Sequence, residues 1–510
     1  MISGKLVGEL LERKIPIAGL VAALGVYFGI SQILLWRFLG FSVSGVYFLG
    51  LVVLALICAG IVRAIIVLNA SRPTPRDHAP TLKTFLISLL LAIALFALGG
   101  EGRFFYSNID WQVRDAVLRD LAINPWPFVY QIDGGPSMLR APIGFFLMPA
   151  TVWKFWGQRA AEILMLSQSA TVLAVLLTIG SQLFNNFIKR AIALVTFLCF
   201  SGLDIVGHWL VSRGPVDHIE AWTGGLQYSA TITQAFWVPH HALAGWTGAL
   251  LFLSHRRQII PLSAFLAIIP LTALWSPLAM IGTLPFAALA GLTAMKRGKI
   301  SVDDIVLPAL SSLIALPAII YLGSANGDVE KQFLAVNIWA YIFIELLEVF
   351  VFLAVIIPTA MAMKRDRDIV LIVTITLVLL PLLQIGPSVD FMMRASIPTI
   401  AILSFLVAGI LTEQLTKFSP PALWLGLLLG LGCVTGFKEV ARALRYPPSP
   451  HNECSLVKTW DVSFARFPIG IYLAPLDSMA VVVRPATPVH FKPKDPQICW
   501  KGDWYRPSGV

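Results

Sequence analysis

Charge is what this chain has least of. Only 13% of its 510 residues are Asp, Glu, Lys or Arg, where a soluble domain carries about 25%. With 57% hydrophobic residues and a mean hydropathy of +0.79, this scarcity excludes an ordinary soluble globule and implies a polytopic membrane protein. No cleavable leader is expected, because residues 1–14 are polar and basic and the apolar run after them is long enough to span. The net charge of +10 is never bunched into one basic patch, which leaves nucleic-acid binding without support. No metal-ligand spacing such as HExxH occurs, and the acidic loop described below has no Asp-X-Asp pair. A divalent metal is therefore the less favoured alternative to no cofactor. Of five cysteines, Cys58, Cys199 and Cys433 lie in apolar runs and read as small buried hydrophobes.

What the chain does have is a series of apolar segments. They fall at about 16–38, 44–68, 82–99, 160–183, 190–211, 241–254, 259–274, 278–295, 302–322, 335–361, 369–385, 395–412 and 421–437, about thirteen expected transmembrane helices. Basic clusters such as Lys189-Arg190, His255-Arg256-Arg257, Lys296-Arg297 and Lys364-Arg365 alternate with them. Placing those clusters inside puts the amino terminus in the cytoplasm and the carboxyl end outside. Residues 142–157, with Pro149, Lys154 and several aromatics, are too short for a full span and read as an interfacial helix. The long polar and aromatic loops then gather on the outer face, which points to work done there.

The most polar of these loops is EGRFFYSNIDWQVRDAVLRDLAINPWP, residues 101–127. Residues 110–121 read as an amphipathic helix, with Asp110–Arg114 and Asp115–Arg119 as i,i+4 pairs, each contributing about 0.2–0.5 kcal/mol. Asn124-Pro125-Trp126-Pro127 ends it, since proline lacks an amide hydrogen and biases the preceding residue away from helix. Such a helix at a membrane surface presents carboxylates to a lipid-borne substrate. Asp110 is the first candidate catalytic base and Asp115 the second, with Arg103 as an anion-binding candidate. Asp133 sits in a Gly-Gly-Pro turn that accounts for it.

A second constellation runs from Ser212 to His241. Four of the eight histidines lie between His208 and His241. Arg213, His240 and His241 are expected to hold a phosphate at a helix amino terminus beginning at Pro239, with Asp217, His218 and Glu220 lining the substrate site. A third joins Asp390 to Arg394, where the arginine either snorkels to headgroups or clamps a lipid phosphate. Glu345 and Glu348, three residues apart within one span, must face protein or water, as proton-linked groups or as partners for buried donors. The tail, 438–510, is rich in proline, with short strands expected at 469–473 and 479–483. Cys454 and Cys499 are its two cysteines, and in an oxidising compartment they are expected to pair.

Taken together, these residues resemble the GT-C superfamily of integral-membrane glycosyltransferases. The likeness lies in Asn108-Ile109-Asp110-Trp111 running into Arg119-Asp120-Leu121, the short aromatic segment 142–157, a helix pair turning at Lys189-Arg190, and an appended tail. It implies an all-α polytopic membrane domain (1–437), with an outer catalytic loop at 101–157 and a small extracytoplasmic C-terminal domain (438–510) containing some β-structure. It also implies a polyprenyl-phosphate-linked sugar as donor, a glycan, lipid or protein acceptor, and a place in the inner (plasma) membrane. Transfer would be inverting, with Asp110 as base and no metal. The acidic loop here follows the third span, whereas in the family it usually follows the first. A transporter or lipid-linked-glycan flippase is the competing class, favoured by Glu345 and Glu348. A non-catalytic envelope scaffold is a third.

Overall fold

The computed structural model describes residues 2–41, 43–71, 79–132, 134–211, 218–325, 331–333, 336–364, 366–385, 389–414 and 417–505, with side chains from residue 7 onward. Helices dominate, and among the described residues eight are long and apolar enough to cross a membrane. They are Ile17–Phe38, Ser44–Ala70, Gln158–Leu183, Pro277–Lys296, Asp303–Gly323, Ile338–Met363, Ile397–Gln414 and Pro420–Arg445. These coincide with eight of the expected spans. Of the other five, four are shorter or broken and one, Pro239–Arg256, is long enough but too polar.

Their interruptions have local causes. The 190–211 run divides into Phe187–Leu198 and Asp204–Val211, and between them Gly202 packs so closely on Glu348 that a Cβ would lie 1.6 Å from its Oε2. The 259–274 run changes from α-helix to a 3-10 turn at Pro270, where the ring removes a helical donor. Pro239–Arg256 has the length but carries His240, His241, Trp246 and Thr247, and it is buried along nearly all its length. It forms the centre of the bundle. The helices approach closely at small residues: a Cβ on Gly29 would lie 2.3 Å from Leu54 Cδ1, the kind of contact that holds helices together where lipid removes the hydrophobic drive.

At one end of the bundle the 101–157 loop and the tail form a single structure. Helix Asp110–Ile123 stops at Asn124 as expected, and Asn124 Nδ2 and Trp126 Nε1 donate to the Asp120 and Leu121 carbonyls (2.9 and 2.8 Å). Those bonds satisfy carbonyls that a helix end leaves open. The chain then forms an antiparallel hairpin from β1 (Phe128–Ile132) and β2 (Gly135–Leu139); Asp133, expected in a turn, lies outside the described residues. Helix Gly144–Trp156 follows, thirteen residues long and half-buried, well short of a span.

A separate two-stranded pair, β3 (Lys331–Phe333) with β4 (Leu383–Ile385), lies elsewhere. The tail supplies β5 (Leu473–Pro475) and β6 (Val489–Phe491), and the sheet order is β5-β2-β1-β6. The loop hairpin is therefore central and the tail flanks it on both edges. Two sequence expectations are corrected here. The boundary at 437/438 falls inside the continuous helix Pro420–Arg445. The strands expected at 469–473 and 479–483 are mainly 3-10 turns, Ile469–Ile471 and Val481–Val483, because the tail is extended where a hairpin edge offers partners rather than where its apolar residues alternate.

Cys454 and Cys499 are disulfide-bonded, 45 residues apart, as the sequence led us to expect. Closing a loop of that length removes unfolded-state entropy worth about 4 kcal/mol. Replacing both cysteines with serine should lower the thermal midpoint of the purified protein in the absence of reductant. An unchanged midpoint would mean that the tail is held by its other contacts alone.

Candidate functional site

Helix Asp110–Ile123 reads as amphipathic in sequence but is buried on nearly every side, because bundle and tail cover opposite faces. Its start is fixed by three bonds. Asn108 Oδ1 accepts from the Asp110 amide (3.1 Å), while Asn108 Nδ2 and Trp111 Nε1 both donate to the Phe236 carbonyl (2.9 and 3.1 Å). Phe236 belongs to helix Thr231–Trp237, so the open carbonyl near that helix end locates the first turn of the next.

This docking turns Asp110 into a cavity of about 700 Å³, a size suited to a small ligand or a headgroup. Its walls bring together the three constellations separated in sequence: Asp110 and Arg114; His218, His240 and His241; Asp390 and Arg394. Tail residues Trp460, Arg466 and Tyr472 complete the enclosure. The Asp110–Arg114 pair forms as expected, Arg114 Nη2 donating at 3.1 Å, and Arg394 donates to Asp390 one helical turn away.

The cations are only partly used by these pairs. Among the described residues Arg114 Nη1 and Arg394 Nε are buried without a hydrogen-bond partner, as is His240 Nδ1, a nitrogen that donates only in its protonated tautomer. Buried polar groups left in this way are costly. The residues that carry them all line one cavity, where the two arginine charges favour a bound anion. Helix Pro239–Arg256 also begins there, with Pro239 in its first turn, adding the positive end of its dipole. His240 is oriented by stacking on Phe145 (ring centroids 5.5 Å apart) and His241 by Ser276 Oγ at 2.7 Å.

Burial raises the Asp110 carboxyl above its ordinary value, against the pull of the Arg114 and Arg394 charges. A carboxylate raised in this way is a better proton acceptor than a free aspartate. Burial disfavours charged His218, but the Glu439 and Glu220 carboxylates together outweigh it and the imidazole is raised overall. Glu439 Oε1 lies 3.4 Å from His218 Nδ1, and Glu439 also accepts from Trp237 Nε1 at 2.9 Å and from Arg442.

Several expected site residues lie elsewhere. Asp115 does not pair with Arg119; it accepts from Arg103, whose Nε also donates to Glu162 at 2.8 Å. Arg103 comes from the turn Glu101–Arg103 and reaches Asp115 inside the loop–tail contact, so the two satisfy each other away from the cavity. Arg119 pairs instead with Asp120 (3.0 Å). Glu220 is buried behind the cavity wall, accepting from the Ala230 amide (2.8 Å) and Gln227 Nε2 (2.6 Å). Arg213 and Asp217 lie outside the described residues. Among the described residues no group of three or more His, Cys, Asp or Glu is placed to hold a metal ion.

Sequence reasoning had given Arg114 only a helix-supporting role and had not singled out Trp460, Arg466, Tyr472 or Glu439. Glu439 and Arg442 carried a signal, as opposite charges three residues apart just after an apolar run. The tail residues carried none, since only the sheet brings them over the cavity. No protein family, curated protein or solved structure matches the chain.

Proposed function

We propose that the protein is a membrane glycosyltransferase of GT-C type, moving a sugar from a polyprenyl-phosphate donor to a glycan, lipid or protein acceptor at the outer face of the plasma membrane. The carrying observation is one cavity lined by a raised carboxyl, Asp110, and by Arg114, Arg394 and His240, each of which has a buried nitrogen with no hydrogen-bond partner among the described residues. Asp110 takes the proton of the acceptor hydroxyl as it attacks the anomeric carbon, with inversion. Arg114, Arg394 and His240 stabilise the negative charge that develops on the departing lipid phosphate. His241 steadies His240, while His218 and Asp390 line the sugar side. The polyprenyl chain lies among the membrane helices. Thirteen membrane passes, with the amino end in the cytoplasm and the carboxyl end outside, complete this reading and agree with the distribution of basic clusters.

Arg394→Ala should weaken binding of undecaprenyl phosphate to the purified protein by about tenfold to a hundredfold, as expected for a charged hydrogen bond. Wild-type protein that binds no undecaprenyl phosphate would remove the lipid-phosphate donor from the reading. The buried carboxyls Asp204, Glu220, Glu345 and Glu348 favour the second reading, a proton-linked transporter or lipid-linked-glycan flippase. Uptake or flipping in proteoliposomes without sugar transfer would select it.

A further inference from the structure

Behind the cavity lies a second polar cluster that the transfer reaction does not use. Asp204, Glu220, Glu345 and Glu348 are each at most 4% exposed. Among the described residues none of them forms an ion pair with an arginine or lysine. Four bare carboxylates in such surroundings would cost many kcal/mol, so protons or another cation must compensate them.

The hydrogen-bond pattern distinguishes these. Asp204 Oδ2 already accepts from Ser201 Oγ (2.7 Å) and Thr435 Oγ1 (2.9 Å), and Glu348 Oε1 from Trp222 Nε1 (3.3 Å). The Leu203 amide donates to the Leu347 carbonyl (3.2 Å), which sets Asp204 and Glu348 on adjacent stretches of backbone. Two carboxylates have no hydrogen to give each other, and among the described residues Glu348 Oε2 has no hydrogen-bond partner. Two buried like charges so placed repel each other unless one of the pair holds a proton. Tyr228 repeats the argument: its single hydroxyl hydrogen faces both the Leu377 carbonyl (2.7 Å) and Glu345 Oε1 (2.9 Å). Both bonds exist at once if the tyrosine donates to Leu377 and Glu345 donates to the tyrosine.

The backbone is shaped around these groups. Glu345–Phe350 is a π-helical turn within the Ile338–Met363 span, a departure common at functional sites. Gly202 admits Glu348, as noted above, and Gly432 lets its helix lie against the Ser201 and Gly202 carbonyls, where a Cβ would come within 2.6 Å. A small void beside Glu348 is lined by Ser201, Tyr228 and Ser229. Ser229 also lines the large cavity, and Gln227 Nε2 bridges Ser229 Oγ (3.1 Å) and Glu220 (2.6 Å). Burial, and then the nearby Asp204 charge, raise Glu220 to about 8. The titratable groups facing the cluster are thus His218, Glu220, Tyr228, Tyr341 and Glu439, and among these only His218 can contribute a positive charge.

We infer that Asp204, Glu345 and Glu348 form a proton-binding site inside the helical bundle, in which Asp204 and Glu348 share one proton, exchanging with the large cavity past Glu220 and Ser229. The ligand is the proton itself. No bond other than O–H forms or breaks, and the proton leaves to water in the cavity.

Infrared spectra of the full-length protein in detergent test this site. At pH 7.5 the wild type should show a protonated-carboxyl C=O band, reduced in both Glu348→Gln and Asp204→Asn and retained in Glu453→Gln, whose side chain is half exposed. Dicyclohexylcarbodiimide, which reacts with protonated carboxyls, should tag the wild-type peptide carrying Glu345 and Glu348, so the site remains testable if the variants fail to fold. Absence of both band and tag overturns the inference. So does a band that disappears on adding sodium at constant pH, which would make the ligand a metal cation.

Discussion

Asp110→Asn should lower sugar transfer by about two to four orders of magnitude, the range associated with loss of a positioned general base. The substitution keeps the shape and the helix start, because Asn108 bonds the Asp110 backbone amide rather than its side chain. It leaves an amide oxygen to accept from Arg114 but removes the negative charge that offsets the guanidinium, so the cavity becomes more positive. Undecaprenyl phosphate binding should therefore be retained or strengthened while turnover falls. Paired measurements of lipid binding and transfer separate these effects. Transfer at the wild-type rate in Asp110→Asn would show that the proton leaves by another route. Loss of both binding and thermal stability would make Asp110 a structural residue.

The largest expected loss of stability comes from Asp120. Its carboxyl is fully buried, accepting from Tyr130 Oη (2.8 Å), the Leu456 amide (2.8 Å) and Arg119 Nη1 (3.0 Å). One side chain thus ties the loop helix to the hairpin and to the tail helix Leu456–Ser463. Asp120→Ala strands those donors and should destabilise the fold by about 3–5 kcal/mol, read as a lower melting midpoint. Burial, opposed by these bonds, raises Asp120 to about 7, against about 3.9 in an unfolded chain. Between those values the folded protein holds a proton that the unfolded chain releases. This contribution, on the order of 4 kcal/mol, is full below about pH 4 and is lost as pH rises through 7. Asp115, raised to about 6 by burial, acts in the same direction. The melting midpoint should fall from pH 5 to pH 8, and Asp120→Asn should flatten that fall. An equal slope in wild type and variant would assign it to other groups.

The legible features of the sequence were those set by local chemistry. Apolar runs gave the eight long helices, Asn124-Pro125-Trp126-Pro127 the end of the loop helix, and Pro239 the start of the helix bearing His240 and His241. Asp110, His218, His240, His241, Asp390 and Arg394 were each singled out from local pattern, and all six line one cavity. Competition between partners was not legible. Whether Asp115 takes Arg119, four residues on, or Arg103, twelve residues back, depends on which is brought into the buried contact. The hairpin strands were missed because Val129, Tyr130 and Met138 are buried by a tail far along the chain, which no local alternation reveals.

The sheet order carries a consequence for how the protein is made. The hairpin Phe128–Ile132 and Gly135–Leu139 has both edges bare until the chain reaches Leu473–Pro475 and Val489–Phe491; His490, for example, meets Gln131 across 359 residues. A ribosome adding about 5–20 residues per second leaves those edges unpaired for tens of seconds. Throughout that interval, while later helices enter the bilayer, the hairpin is a template for other strands. The cavity wall formed by Trp460, Arg466 and Tyr472 is likewise missing. Until those two strands arrive, the hairpin edges stay open to pairing with other chains and the cavity lacks its tail wall.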